Sequence, residues 1–183
     1  MPQTIYTPRA ACRWAHLINA SEYEGKYSYS VELLLNNDDK THQAFLNTLE
    51  QEFVASHGTK KSRADKGEPW RPDKTESGIT VVKFKANRFD NPDGTFSRGP
   101  RIVDAKRATW DGRDIGNGSE IIIGFTTYAW DAKQGCGLTL NPRAVQVLKF
   151  VPREDMGDAA ADGFEEQDGF SVNDADDFED EFA

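Results

Sequence analysis

The sequence predicts a mainly β domain over residues 1–153, a small closed barrel of five to six strands with one helix, and a disordered acidic tail over residues 154–183. Apolar residues recur at every second position through most of the body, the period of a half-buried strand, and at helical spacing in a single stretch. A chain of many short strands exposes its sheet edges unless the sheet closes on itself, which points to a barrel. The last thirty residues hold thirteen carboxylates and no Lys or Arg, so the body keeps all 22 cations against 18 carboxylates, a net of about +4.

Ala11 to Asn19 alternates Cys12, Trp14, His16 and Ile18 with Arg13, Ala15 and Leu17, which suits a strand with at least one buried face and makes His16 a packed residue. In Lys26–Asn36 (KYSYSVELLLN), Tyr27, Tyr29, Val31, Leu33 and Leu35 share one face and Ser28, Ser30 and Glu32 the other. Asn36 to Asp39 then offers helix N-caps, and Phe45, Leu46, Leu49 and Phe53 fall on one helical face that ends at Gly58. From Lys60 to Lys74 six cations surround Pro69, Trp70 and Pro72 with hardly an aliphatic residue, the composition of an exposed loop.

The strand Ile79–Phe89 sets Val82, Phe84 and Ala86 against Lys83, Lys85 and Asn87, with Arg88 and Phe89 at its end. Asp90 to Gly94 (DNPDG) makes a hairpin turn. Arg101 to Trp110 adds Lys106 and Arg107 before the Trp. Ser119–Trp130 is another strand, with Ile121, Ile123 and Phe125 inward and Tyr128 and Trp130 on the other side. Leu138–Val151 is a final strand pair, or one bent strand broken near Asn141 and Pro142.

Cations and aromatics interleave through the middle third of the chain. A nucleobase stacks on an exposed aromatic ring while neighbouring cations take its phosphates, each stacked base being worth ~1–3 kcal/mol. On that chemistry the candidate contacts are Trp70, Arg71, Lys83, Lys85, Arg88, Phe89, Arg101, Lys106, Arg107 and Trp110, the alternative for Trp70 being a ring folded back over the barrel. The oligonucleotide-binding (OB) barrel is the small β architecture that combines a cationic groove with stacking platforms.

Other chemistries find little footing. Cys12 and Cys136 lie far apart, with no CxxC or His-x3-His spacing, and read as reduced, buried side chains. Asp104, Asp111 and Asp114, or Asp90 and Asp93, would hold Mg2+ in a nuclease, but Asp-Gly spacings are turns first. The chain has no GxxxxGK[ST] loop, nucleophile elbow or HExxH helix, so neither enzymatic activity nor a cofactor or metal is expected. No stretch approaches the ~20 apolar residues of a membrane span, and no leader pattern opens the chain, which places it in the cytoplasm where it is made.

KYSYSVELLLN, NGSEIIIGFTTYAW, GCGLTLNPRAVQVLKF and the acidic, Phe-containing tail together resemble the phage-encoded single-stranded DNA-binding proteins, over nearly the whole chain. The resemblance implies an OB fold and sequence-independent binding of single-stranded DNA during phage DNA replication and recombination, in the cytoplasm of a bacterial host. It also implies a tail that contacts replication or recombination proteins. Here Asp176, Asp177, Phe178, Glu179, Asp180, Glu181 and Phe182 match that role, although the chain ends Phe182-Ala183 and its helix follows the second recognisable strand. Thirteen carboxylates tethered to a cationic body should also compete with DNA for it. The alternatives are an OB-fold protein- or RNA-binding adaptor and a Mg-dependent nuclease.

Overall fold

The computed structural model describes residues 3–153. Period-2 patterning becomes eight strands: β1 (Ile5–Tyr6), β2 (Ala10–Tyr23), β3 (Lys26–Asn36), β4 (Trp70–Pro72), β5 (Ile79–Asn87), β6 (Arg101–Asp104), β7 (Glu120–Ala132) and β8 (Gly135–Lys149). The helical stretch becomes α1 (Lys40–His57). Hydrogen-bonded neighbours run β4-β5-β3-β2-β7-β8-β6, with β1 added to β7. Every strand pairing is antiparallel except that of β6 with β8.

The sheet curls around one core because its inward sets are apolar: Val31, Leu33 and Leu35 from β3, Val82 and Phe84 from β5, Ile121, Ile123 and Phe125 from β7, and Leu138, Leu140, Val145 and Val147 from β8. Helix α1 covers this core with Phe45, Leu49 and Phe53, spaced four apart on one face. Phe45 and Phe84 both meet the Phe125 ring edge-on, at 5.9 and 5.2 Å. The helix starts where Asp39 accepts the amides of Thr41 (2.8 Å) and His42 (3.2 Å), and stops at Gly58, whose φ of 76° suits a residue without Cβ. Cutting Phe53 back to Ala would cost about 3–5 kcal/mol, since the ring is fully buried.

Three features differ from the sequence reading. The expected closed barrel is not formed: the ladder begins at β4 and ends at β6 without returning on itself. A cleft instead separates Ala86 and Asn87 of β5 from Asn141, Pro142 and Arg143 of β8, where Pro142 lacks the N–H a ladder would use. The 60–74 stretch is not wholly loop, since Trp70, Arg71 and Pro72 pair with Val82, Val81 and Thr80 as an edge strand.

The third difference lies in β2. Cys12 is buried, but so are Ala15 and Leu17, because the register against β3 shifts between Arg13 and His16 and Trp14 takes a left-handed φ of 51°. One extra residue in a strand exchanges the faces beyond it. Trp14 therefore leaves the face of Cys12 and stands in solvent, and His16 is half-buried beside it. By contrast, residues 135–149 form one strand, with a register shift opposite Gly124 and Phe125 that absorbs Pro142.

Candidate nucleic-acid interface

The loop between β5 and β6 is held in place by aromatic side chains. Tyr29, buried on β3, donates its hydroxyl to the Ser97 carbonyl at 3.1 Å. Gly99 lies flat against the same ring, so that a Cβ there would come 2.9 Å from two ring carbons. Farther out, the Arg88 guanidinium is sandwiched between the rings of Tyr27 (3.9 Å) and Phe96 (3.8 Å) and approaches Asp90 at 3.8 Å. The Asp90–Gly94 turn is present, with the Asn91 amide donating to the Thr95 carbonyl. These contacts fix Ser97–Pro100 as a ridge that presents Arg98.

A cleft lies on either side of this ridge. One, of about 520 Å³, is lined by Asn87, Phe89, Arg98, Tyr128, Asn141 and Arg143. The other, of about 580 Å³, is lined by Ile18, Arg98, Arg101, Thr109 and Trp110. Arg98, Gly99 and Pro100 line both, so the two clefts flank one shared ridge. Phe89 is 66% exposed and Tyr128 61%, and neither ring has a packing duty. Arg143 is steadied by a long bond from its Nε to the Thr126 hydroxyl (3.3 Å). Among the described residues Arg98, Arg101 and Arg143 form no ion pair.

An exposed face of β5 leads away from the first cleft. Lys83, Lys85 and Asn87 occupy this face opposite Glu32, Ser30 and Ser28 of β3, and Asn87 also lines the first cleft. Alternate residues advance about 6.7 Å along a strand, so Lys83 lies ~13 Å from that cleft along one continuous face. Neither lysine is ion-paired among the described residues, whereas Glu32 between them and β2 is held by Arg13 (2.8 Å) and Arg71 (3.0 Å). Arg13 also reaches Asp73 at 3.1 Å. Asp73 is held below its usual range because that bond, the Arg13 charge and the amides of Glu76 and Lys74 outweigh desolvation.

Of the residues singled out by sequence, Phe89 lines the first cleft, Arg101 and Trp110 line the second, and Lys83 and Lys85 lie on the β5 face that leads to the first. Trp110 is half-buried, its ring edge-on to Phe150 (5.2 Å) and its indole N–H donated to the Arg113 carbonyl (2.8 Å). Lys106 and Arg107 sit in a turn whose amides at Lys106 and Ala108 are accepted by Asp104. Arg107 and Arg101 line a separate hollow of about 220 Å³ beside Tyr6.

Three candidates stand apart. Trp70 covers the core, edge-on to Phe53 at 6.0 Å, and the short strand β4 directs it there. Arg71 is paired with Glu32. Arg88 is held between two rings with little of its charge in reach of a ligand. The tail residues Asp176, Asp177, Phe178, Glu179, Asp180, Glu181 and Phe182 lie outside the described residues. Sequence reading missed Arg98, Tyr128 and Arg143; Tyr128 did show there as an aromatic on the outward face, but the arginines belong to no periodic pattern. Of the carboxylates weighed for Mg2+, Asp104 and Asp93 accept backbone amides of their own turns and Asp111 holds the Arg113 guanidinium (2.8 Å).

No protein-family model matches the chain, and no curated sequence does. Solved structures share its fold. Gp2.5, a single-stranded DNA-binding protein encoded by bacteriophage T7, superposes with a TM-score of 0.68 at 17% identity, over 94% of this chain and 100% of that one. The single-stranded DNA-binding protein from bacteriophage Enc34 gives 0.59 at 18% identity, over 86% of this chain and 89% of its own. The Enc34 protein in complex with single-stranded DNA gives 0.62 at 16% identity, over 84% and 89%.

Proposed function

We propose that this chain, which has the fold of those phage proteins, is a non-enzymatic, sequence-independent single-stranded DNA-binding protein acting in phage DNA replication or recombination in the host cytoplasm. The observation that carries this reading is the pair of clefts flanking the Ser97–Pro100 ridge, in which Arg98, Arg101 and Arg143 have no ion pair among the described residues and Phe89 and Tyr128 stand exposed. Guanidinium groups take phosphates and rings take bases, and every base has a face to stack, so binding does not depend on sequence. Lys83 and Lys85 extend the cationic track along β5, and Lys106 and Arg107, in the turn after β6, are further candidate phosphate contacts. The curled sheet, in which β2, β3 and β5 form a meander that β7 and β8 join through β2, fits an OB-like barrel whose seam is the cleft between β5 and β8.

Residues 1–153 are then the DNA-binding domain and residues 154–183 a tail that competes with DNA and, when displaced, offers Phe178 and Phe182 among their acids to replication proteins. Titration with oligo(dT) of increasing length at low salt tests the reading, with duplex DNA as the contrast. Expected are a length threshold, preference for single strands, and a log K that falls linearly with log salt at about −0.7 per phosphate contacted. Equal affinity for duplex and single strands, or metal-dependent loss of the DNA, rules it out. A chain truncated after Arg153 should bind more tightly at low salt and lose that advantage as salt screens the tail.

A further inference from the structure

We propose that Trp14 is a second base-stacking platform, seating one nucleobase of a single strand whose phosphates lie on Lys83 and Lys85. The inference rests on the single-strand reading above and extends its path across the outer sheet face. Trp14 is 58% exposed in a strand that lies between β3 and β7, and the core-facing work around it is done by Cys12, Ala15 and Leu17. Its ring fills no gap. Its backbone nevertheless holds a left-handed φ of 51°, a conformation a side-chain-bearing residue adopts only at a cost. The strand bulges to permit it, and Asn117 fixes it by accepting the Trp14 amide at 2.9 Å. A glycine would take this position without strain. What the strain achieves is to turn an indole out of the sheet and hold it there.

The surroundings suit a base rather than an apolar partner. Beside the ring is a hollow of about 220 Å³ lined by His16, Ser21, Ser30, Glu32 and Lys83, which offers polar edges and one cation. The carboxylate in it, Glu32, is countered from two sides by Arg13 and Arg71, so it does not repel a phosphate as a bare charge would. Lys83, Lys85 and Asn87 then lead along β5 from the hollow to the cleft of Phe89 and Tyr128. The two stacking sites are joined by one cationic track.

The test uses the full chain and a 5′-fluorescein oligo(dT), read by anisotropy for binding and by tryptophan emission for stacking. Trp14→Phe should bind within a few fold of wild type and lose a resolved part of the tryptophan quenching at saturation. Trp14→Gly, which also relieves the backbone, should melt no lower than wild type and bind roughly ten- to hundredfold more weakly. Quenching unchanged in Trp14→Phe overturns the proposal, and so does wild-type affinity in Trp14→Gly. If Trp14→Gly fails to fold, the quenching of Trp14→Phe decides alone. Absence of any anisotropy change in the wild type overturns the single-strand reading itself, whereas binding with unaltered Trp14 quenching removes only the platform.

Discussion

Two stretches of this chain look alike in composition and behave differently in the fold. Residues 60–74 carry six cations around a Trp; residues 98–110 carry four, Arg98, Arg101, Lys106 and Arg107, before another Trp, and Arg143 of β8 lines the same cleft as Arg98. In the first, Lys61 binds Asp131 (2.6 Å), Arg63 binds Glu50 and Glu68 while covering Phe53 (4.1 Å), and Arg71 binds Glu32. The carboxyls of Glu50 and Asp131 are held below their usual range by those bonds, and Trp70 turns inward. In the second, no arginine finds an acid among the described residues. A cation already answered by a carboxylate contributes to the fold; one left unanswered beside an exposed ring is available to a polyanion. The pairing of the arginines, not composition, separates the two: Arg63 and Arg71 are both answered by carboxylates, and Arg98, Arg101 and Arg107 form no ion pair among the described residues.

The difference is sharpest if the cleft arginines are removed. Arg98→Gln with Arg143→Gln should weaken oligo(dT) binding by about ten- to hundredfold at low salt and flatten the slope of log K against log salt by ~1.4, since two phosphate contacts are lost at ~0.7 each. Thermal stability should stay within a degree or two of wild type. An unchanged slope would show that the strand runs elsewhere.

The two regions should also separate by readout. Trp70→Ala ought to cost about 2–3 kcal/mol of stability by denaturant unfolding, because its ring covers Phe53 and the core, with no change in DNA affinity. Phe89→Ala should do the converse, leaving unfolding unaltered and losing about 1–3 kcal/mol of binding. If both substitutions moved the same quantity, the division into a structural and a binding cluster would collapse.

A smaller effect is expected at Arg63. Arg63→Gln removes two ion pairs and a cation–π contact at a side chain that is partly exposed, which amounts to about 1 kcal/mol of stability. Isothermal titration with oligo(dT) should give the wild-type affinity; a tenfold loss would make the 60–74 region part of the site.

Smallest is a pH effect at His16. Burial pushes its imidazole below the ordinary value, Arg153 acting in the same direction and Asp114 against it. The unfolded chain takes up this proton near pH 6.5, the folded one only at lower pH. Stability is therefore complete above about pH 6.5 and declines as pH falls through the lowered folded value. His16→Gln should flatten Tm between pH 7 and 5, by on the order of 1–2 °C; a parallel curve for variant and wild type would assign the slope to other groups.

The sequence by itself determined the inward faces of β3, β5 and β7, the helix with its Asp39 and Gly58 ends, and the Asp90–Gly94 turn, because each depends on residues within a few positions of one another. It also marked the cationic face of Lys83 and Lys85, since outward and inward positions alternate in a strand. Only tertiary structure decided that the sheet stays open beside Pro142, that a bulge turns Trp14 out of β2, and that Trp70 joins a strand and covers the core. It likewise decided which cations are answered: Arg63 meets an acid 13 positions away, Arg71 one 39 away and Lys61 one 70 away, whereas Arg98 and Arg143, 45 positions apart, line one cleft. Local patterns set which way a side chain faces its own strand. What stands opposite it depends on the path of the whole chain.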